Sequence, residues 1–156
     1  MISLEKLMGT ILEFLGSDHR ACDDLFASAE MAVAQNNWAR ARSQFERFQA
    51  AMGRHLAREE NVLFPAFEAH TGNSMGPTQI LRMEHQQLRD LIQHMARAVA
   101  DSNQNSYLGL SETLHMLMQQ HNLKEETMLY PMSDQVLGSD RNAVIRAMEA
   151  MEAISS

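Results

Sequence analysis

Cysteine, proline, glycine and aromatic residues are all scarce in this chain of 156 residues. A single cysteine, Cys22, excludes an internal disulfide and a zinc–thiolate or iron–sulfur site, so we expect a reducing compartment, the cytoplasm. Three prolines and seven glycines leave long stretches without a helix breaker. No apolar run approaches the roughly 18 residues of a membrane span, so no membrane partner is expected.

The net charge of the chain limits which macromolecules it is expected to bind. Twenty acidic residues against 13 basic ones give a net charge of −7, which disfavours a phosphate-binding surface and therefore nucleic acid. Hydrophobic residues at 45% and charged residues at 21% are ordinary for a globular protein. Since one domain takes about 100–200 residues, we expect a single soluble domain over residues 1–156.

Apolar residues recur at alternating steps of three and four in four segments, the spacing of amphipathic helices. Turn-rich breaks at Asn36-Asn37, 71–77 and 101–105 separate the segments, and such short connections favour antiparallel neighbours. The sequence predicts an all-α, up-down-up-down antiparallel four-helix bundle with its core over about 15–135. The predicted inward residues are Leu15, His19, Cys22, Phe26, Ala29 and Val33, then Trp38, Ala41, Phe45, Phe48, Met52, His55, Glu59 and Val62, then Leu81, His85, Leu88, Ile92, Met95 and Val99, then Tyr107, Leu110, Leu114, Leu117 and His121.

Shorter apolar patterns flank these segments. An apolar stripe from Leu4 to Leu15 follows Ser3 as a helix cap, and Ser139 to Ile154 has the pattern of a closing helix. We expect short N- and C-terminal helices that cover the bundle. The second long helix is expected to end at Pro65, because proline interrupts a helix interior.

The chain also repeats itself. Two similar helical hairpins related by a pseudo-two-fold axis bring equivalent residues to face one another in the core. Because residues equidistant from a turn lie level in an antiparallel hairpin, all four inward histidines are expected at one height. A shift of 66 places superimposes His19 on His85, His55 on His121, Glu59-Glu60 on Glu125-Glu126, Phe64 on Tyr130 and Pro65 on Pro131.

Four imidazoles and two carboxylates are therefore predicted to meet in the core, since Glu59 and Glu125 each follow a histidine by four residues on the same helix face. Burying these groups without a partner is costly, and a metal removes that cost. Two carboxylates able to bridge, and no thiolate, indicate two ions of iron, manganese or zinc. Iron gives open coordination positions a redox use that zinc does not. The predicted ligands are His19, His55, Glu59, His85, His121 and Glu125.

The segments that carry these residues resemble the hemerythrin-like HHE cation-binding domain over roughly residues 15–135. The resemblance implies a non-haem di-iron site in a four-helix bundle, with the same six residues as ligands. Members of that family bind oxygen or nitric oxide, sense redox conditions, handle iron or repair iron–sulfur centres. The resembling segments are His55-Leu-Ala-Arg-Glu59-Glu60 with Phe64-Pro65, His121-Asn-Leu-Lys-Glu125-Glu126 with Tyr130-Pro131, Asp18-His19 and Glu84-His85.

The resemblance implies a di-iron protein that binds oxygen, nitric oxide or a related small ligand in oxygen, nitrosative or iron stress. A di-iron oxidase or peroxidase, or an iron-donating repair factor for iron–sulfur centres, is the alternative. Oxygen carriers have a further histidine four residues after the third-helix histidine, where this chain has Arg89, and an aspartate five residues after the last histidine, where this chain has Glu126. Reversible oxygen carriage is therefore not expected.

Several neighbours of the predicted site keep two interpretations. Glu60 and Glu126 are either solvated or hold a ligand histidine in orientation, and Glu126 is a second candidate ligand. Tyr130 either hydrogen-bonds near the site or packs as its counterpart Phe64 must. Cys22 is expected to be a small core residue.

Overall fold

The computed structural model describes residues 9–151, and all regular structure in that range is helical. The four long helices are α1 (Ile11–Ala34), α2 (Trp38–Arg58), α4 (Pro77–Ala100) and α5 (Gln104–Lys124). The shorter ones are α3 (Phe64–Thr71), α6 (Tyr130–Leu137) and α7 (Arg141–Glu149), with a 3₁₀ turn at Gly138–Asp140. The prediction of an all-α fold is confirmed for residues 9–151. No helix in the described range is long and apolar enough to cross a membrane.

Polar residues fix where the long helices begin. The side chains of Thr10, Asn37 and Asn103 accept the backbone N–H of the residue three places later, at the starts of α1, α2 and α5. These caps satisfy N–H groups that have no partner within the helix. Helix α4 begins instead at Pro77, whose missing N–H has no cost in a first turn.

The core consists of two apolar clusters with a polar layer between them. One cluster, which includes Phe26, Phe48 and Tyr107, fills the half of the molecule nearest the turns that precede α2 and α5. The other, which includes Leu15 and Leu129, fills the opposite end. The four histidines of the repeat lie at the level where the two clusters meet, so the helices hold them in a fixed and largely dry position.

Helix α5 turns a slightly different face inward from the one that its pattern predicts. Ser111 and Met118 are buried where Leu110 and Leu117 were expected, and both leucines are half-buried. Ser111 is tolerated in the core because its hydroxyl donates a hydrogen bond to the carboxylate of Glu30.

The prediction that the second long helix ends at Pro65 is wrong. Residues Glu59–Leu63 form a π turn in which the Phe64 N–H bonds the carbonyl of Glu59, and the chain continues as α3. The π turn adds one residue to the helix and places Pro65 in the first turn of α3, where it displaces no required N–H donor. It also moves the inward position from the predicted Val62 to Leu63, which is fully buried. The repeat has a second π turn at Glu125–Leu129.

The flanking helices differ in part from expectation. Residues 1–8, which hold Leu4, Leu7 and Met8 of the predicted N-terminal stripe, lie outside the described residues, and the other half of the stripe, Ile11, Leu12 and Leu15, belongs to α1. The carboxylate of Asp134 accepts the Ile11 N–H at 2.7 Å and so joins the start of α1 to α6. The predicted closing helix is α7, which ends at Glu149; residues from 152 onward lie outside the described range.

Candidate metal centre

The structure brings together all six side chains that the sequence predicts as ligands. His19, His55, His85 and His121 come from the four long helices, and Glu59 and Glu125 are the first residues of the two π turns. All six are buried. The rings of His19 and His55 lie 4.7 Å apart, and those of His85 and His121 lie 4.9 Å apart. The layer is therefore one compact cluster with a pair of imidazoles from each hairpin.

Two groups of donor atoms form within this cluster, and they share Glu125. One group is Glu59, His85, His121 and Glu125; the other is His19, His55 and Glu125, and the donor atoms of each group lie within 4.8 Å of one another. Glu125 Oε1 lies 3.1 Å from Nε2 of His19 and 3.2 Å from Nε2 of His121. Glu59 Oε1 lies 3.0 Å from His85 Nε2 and 3.4 Å from His55 Nε2. Both carboxylates thus reach histidines of both hairpins.

Each histidine is oriented by a carboxylate on its outer nitrogen. Because the carboxylate is an acceptor, Nδ1 carries the proton and Nε2 faces the cluster with a free lone pair when the ring is neutral. The pairs obey the repeat, since Asp18 with His55 matches Glu84 with His121, and Glu60 with His85 matches Glu126 with His19. Their N–O distances are 3.0, 2.8, 2.7 and 3.2 Å in that order.

The residues present fit a metal. Among the described side chains, Nε2 of His55, His85 and His121, Oε1 of Glu59 and Oε2 of Glu125 are fully buried and have no hydrogen bond of acceptable geometry. Buried polar atoms are rarely left in this state, because each costs about 1–3 kcal/mol. Five such atoms that point at one another, supplied by imidazoles and carboxylates, are the donor set that iron, manganese or zinc accepts.

Tyr130 belongs to the site, and of its two interpretations the hydrogen-bonding one is correct. Its hydroxyl lies 2.6 Å from Glu59 Oε2, 3.0 Å from Glu125 Oε1 and 3.2 Å from His19 Nε2. Its counterpart in the first hairpin is Phe64, which stacks on His85 and carries no hydroxyl. The cluster is consequently symmetric in its donors but has one phenol on one side.

The outer carboxylates of Asp18, Glu84 and Glu60 are themselves paired with cations. Arg58 donates two hydrogen bonds to Asp18 at 2.8 and 2.9 Å, and its repeat counterpart Lys124 contacts Glu84. Arg89 lies 2.5 Å from Glu60 and reaches the cluster only through that carboxylate. Glu60 and Glu126 therefore both hold histidines, and the interpretation of them as merely solvated groups is wrong.

Protonation is strongly perturbed in this layer. Burial disfavours a charged His85, but the carboxylates of Glu125, Glu59 and Glu60 outweigh it and raise the pKa of His85 to about 11. The pKa values of His19 and His121 are also raised, against burial, mainly by Glu125. Burial and the neighbouring charge of Glu125 raise the pKa of Glu59. Without a metal, the proton on His85 offsets part of the charge of the buried carboxylates.

Loading a divalent ion is accordingly expected to release protons. The pKa of His85, at about 11, means that this ring holds a proton at neutral pH, and the raised pKa values of His19 and His121 favour the protonated form of those rings, so a metal must displace protons from ligand nitrogens. We expect the release of protons at pH 7, including the one on His85, and metal affinity that falls as the pH is lowered. A pH-indicator titration in weak buffer measures the release, with chelated metal as the control. Saturation without proton release would contradict this assignment of protons.

Cys22 takes no part in the donor groups. It is buried one turn from His19, and burial together with the charges of Asp18 and Asp23 raises its pKa to about 12. Such a thiol stays protonated and unreactive, so Cys22 is the small core residue that the sequence predicts.

Comparison with known proteins identifies one family. The family model described as "Hemerythrin HHE cation binding domain" matches residues 10–133, a span that contains both hairpins and all six residues of the cluster. No curated protein and no solved structure gave a match.

Proposed function

The chain belongs to the hemerythrin HHE cation-binding domain family, and on that premise we propose that it is a non-haem di-iron protein that binds oxygen, nitric oxide or a related small ligand. The proposed ligands are the six residues of the cluster. The observation that carries the proposal is the pair of donor groups joined by Glu125. Two imidazoles and shared carboxylates would hold each ion and would leave positions for a small exogenous ligand.

The proposal includes the arrangement of the whole chain. His19 lies beside His55 and Phe26 beside Phe48, and both pairs are equidistant from the turn that joins α1 to α2. This supports an up-down-up-down antiparallel bundle that forms a single domain over residues 1–156. The lone buried thiol supports a reducing location such as the cytoplasm.

When bound, a pair of iron ions would supply one-electron steps and open coordination positions for a diatomic molecule. The chain's own residues define what happens around them. The carboxylates on Nδ1 keep each Nε2 aimed inward, and the two apolar clusters exclude bulk water. Glu59 and Glu125 would offset the charge of the ions. Manganese and zinc suit the same donors, but only a redox-active metal gives the open positions an oxidative use.

A di-iron oxidase or peroxidase is the second candidate, and Tyr130 is the observation that favours it. Burial and the charges of Glu125 and Glu59 raise the pKa of Tyr130 far above its usual value, so its hydroxyl keeps its proton beside the donor groups. A buried phenol can donate a proton or an electron to a bound oxidant. Catalytic loss of peroxide or nitric oxide under reductant supports an enzyme, whereas stoichiometric uptake supports a binding protein.

Oxygen should oxidise the ferrous protein irreversibly. Arg89 stands where oxygen carriers have a third imidazole, and its guanidinium is held by Glu60 and coordinates nothing. Stopped-flow mixing of iron-loaded protein with oxygen is expected to give an oxidised spectrum that lowering the oxygen pressure does not reverse. Arg89→His places an imidazole one turn from His85 on the same helix face and should slow the oxidation.

Arg97→His, two turns further along α4, is the matched control and should behave as the unmodified protein. Metal analysis of the same samples, expected to give two iron ions per chain, tests the site itself. Reversible oxygen uptake by the unmodified protein would return it to the carrier class.

A further inference from the structure

The two donor groups differ at their outer edges, although the repeat makes their histidines equivalent. The His85 edge consists of Glu60, Phe64, Arg82 and Arg89. Phe64 stacks on the imidazole of His85, and the guanidinium of Arg82 lies 5.2 Å from the centre of the Phe64 ring. Arg89 lies 2.5 Å from the Glu60 carboxylate that accepts from His85. An aromatic ring and two cations thus cover this histidine, which is fully buried.

The His19 edge is built from the residues that a shift of 66 makes equivalent, namely Gly16, Asp23, Glu126 and Tyr130. It has neither of the two cations. Asp23 stands at the position of Arg89, so a negative side chain replaces a positive one. Gly16 stands at the position of Arg82 and has no side chain. Only the aromatic part of the cover remains, since the ring centre of Tyr130 lies 5.6 Å from that of His19.

Glu126 is consequently an outer carboxylate without a cation in the described part of the chain. The other three each pair with an arginine or a lysine, whereas Glu126 pairs with His19. Arg20 also lies next to Gly16, but among the described residues no ion pair joins its guanidinium to Glu126. The side chain of Glu126 is 38% exposed, against 22% for Glu60. The His19 edge is therefore the less covered of the two.

Charge at the His19 edge favours the approach of a divalent cation. Burial, together with the negative charge of Glu126, raises the pKa of Asp23, so the two carboxylates are close enough to repel each other. A cation that approaches them relieves this repulsion. At the His85 edge the same cation meets the guanidinium groups of Arg82 and Arg89, each of which already has a glutamate partner.

The inner donors differ in the same direction. The group beside the His85 edge supplies two imidazoles and two carboxylates, from Glu59 and Glu125, whereas the group beside the His19 edge supplies two imidazoles and Glu125 only. Affinity for a divalent ion rises with the number of charged ligands. An ion in the second group is therefore held by fewer protein atoms and by less negative charge.

We infer that the two ions of the centre differ in lability: the ion held by His19, His55 and Glu125 exchanges through the His19 edge, and the other ion is retained. The inference rests on the proposed di-iron function. One ferrous ion per chain is then available to an acceptor that binds iron more tightly, while the second ion keeps the cluster assembled.

Anaerobic mixing of the diferrous full chain with an excess of ferrozine, which absorbs visible light when it binds ferrous iron, measures the release of each ion. The unmodified protein is expected to lose one iron per chain in a fast phase and the second in a phase about tenfold slower or more. Asp23→Arg gives the His19 edge the cation that it lacks and should slow the fast phase alone, by about tenfold. Arg89→Asp makes the reverse change and should accelerate the slow phase by a similar factor.

Asp24→Arg is the matched control, because it makes the same change of charge at the next residue, which is exposed as Asp23 is and lies outside the edge. It should leave both phases unchanged, and circular dichroism checks that all three variants are folded. Release of both ions at one rate, from protein that holds two ions per chain, would overturn the inference and leave the di-iron function in place. Fewer than two ions at saturation would overturn both. A fast phase that Asp23→Arg leaves unchanged, or that Asp24→Arg slows equally, would also overturn the inference.

Discussion

Replacing Glu125 with glutamine should remove both metal ions, whereas the same change at Glu126 should leave two ions per chain. Glu125 is the one carboxylate that belongs to both donor groups, so its loss removes a ligand from each ion at once. An amide has the same shape but no charge to offset two divalent ions. Glu126 holds only the outer nitrogen of His19, and losing such a partner costs about 10–100-fold in affinity.

The measurement is metal content after reconstitution with ferrous iron and removal of free metal. The two variants are matched because they alter adjacent residues in the same way, and circular dichroism checks that both are folded. If Glu125→Gln keeps two ions with unchanged affinity, Glu125 does not bridge the groups and the assignment of ligands fails.

Removing the metal should lower the melting temperature by an amount on the order of 10–20 °C. A ligand present at one hundred times its dissociation constant stabilises the folded state by about 2.7 kcal/mol. Two ions contribute about twice this free energy. In a chain of this size each kcal/mol shifts the melting temperature by about 2–4 °C, which gives the expected range. The metal-free layer also keeps buried carboxylates and imidazoles that only protons can balance.

Differential scanning calorimetry before and after chelation, with metal content verified at each step, measures the shift. Adding the metal back should restore the original melting temperature. An unchanged melting curve after verified removal would mean that the cluster is built and satisfied without an ion, which would remove the physical reason for its composition.

The sequence predicts the long helices well because their signals are local. Steps of three and four in apolar residues and turn-rich breaks such as Asn36-Asn37 need no knowledge of the rest of the chain. The π turns are different. No residue type specifies an extra residue in a helix, and Pro65 indicates a helix end by every local rule, although the π turn before it makes a first-turn position available. The shift from Val62 to Leu63 follows from the same missed turn.

The six predicted ligands follow from residue spacing in the sequence. The carboxylates that accept from the outer histidine nitrogens are predicted less completely. Glu60 and Glu126 were identifiable as histidine partners because they adjoin the predicted ligands. The sequence indicates Asp18 and Glu84 only as parts of a family motif, although each precedes a histidine at equivalent places in the repeat. Their actual partners, His55 and His121, lie on the other helix of the hairpin, so only three-dimensional packing assigns them. The sequence does not settle the hydrogen-bonding role of Tyr130, because its repeat counterpart Phe64 has no hydroxyl and indicates packing at both positions.

The two hairpins are joined by a single covalent link, the segment between α3 and α4, yet each donor group draws residues from both of them. On the proposed assignment each ion therefore cross-links the first hairpin to the second at the level of the histidine layer. Such cross-links restrict the separation of the two hairpins. Hydrogen exchange in the metal-free protein would then report two semi-independent folding units, where the loaded protein opens as one.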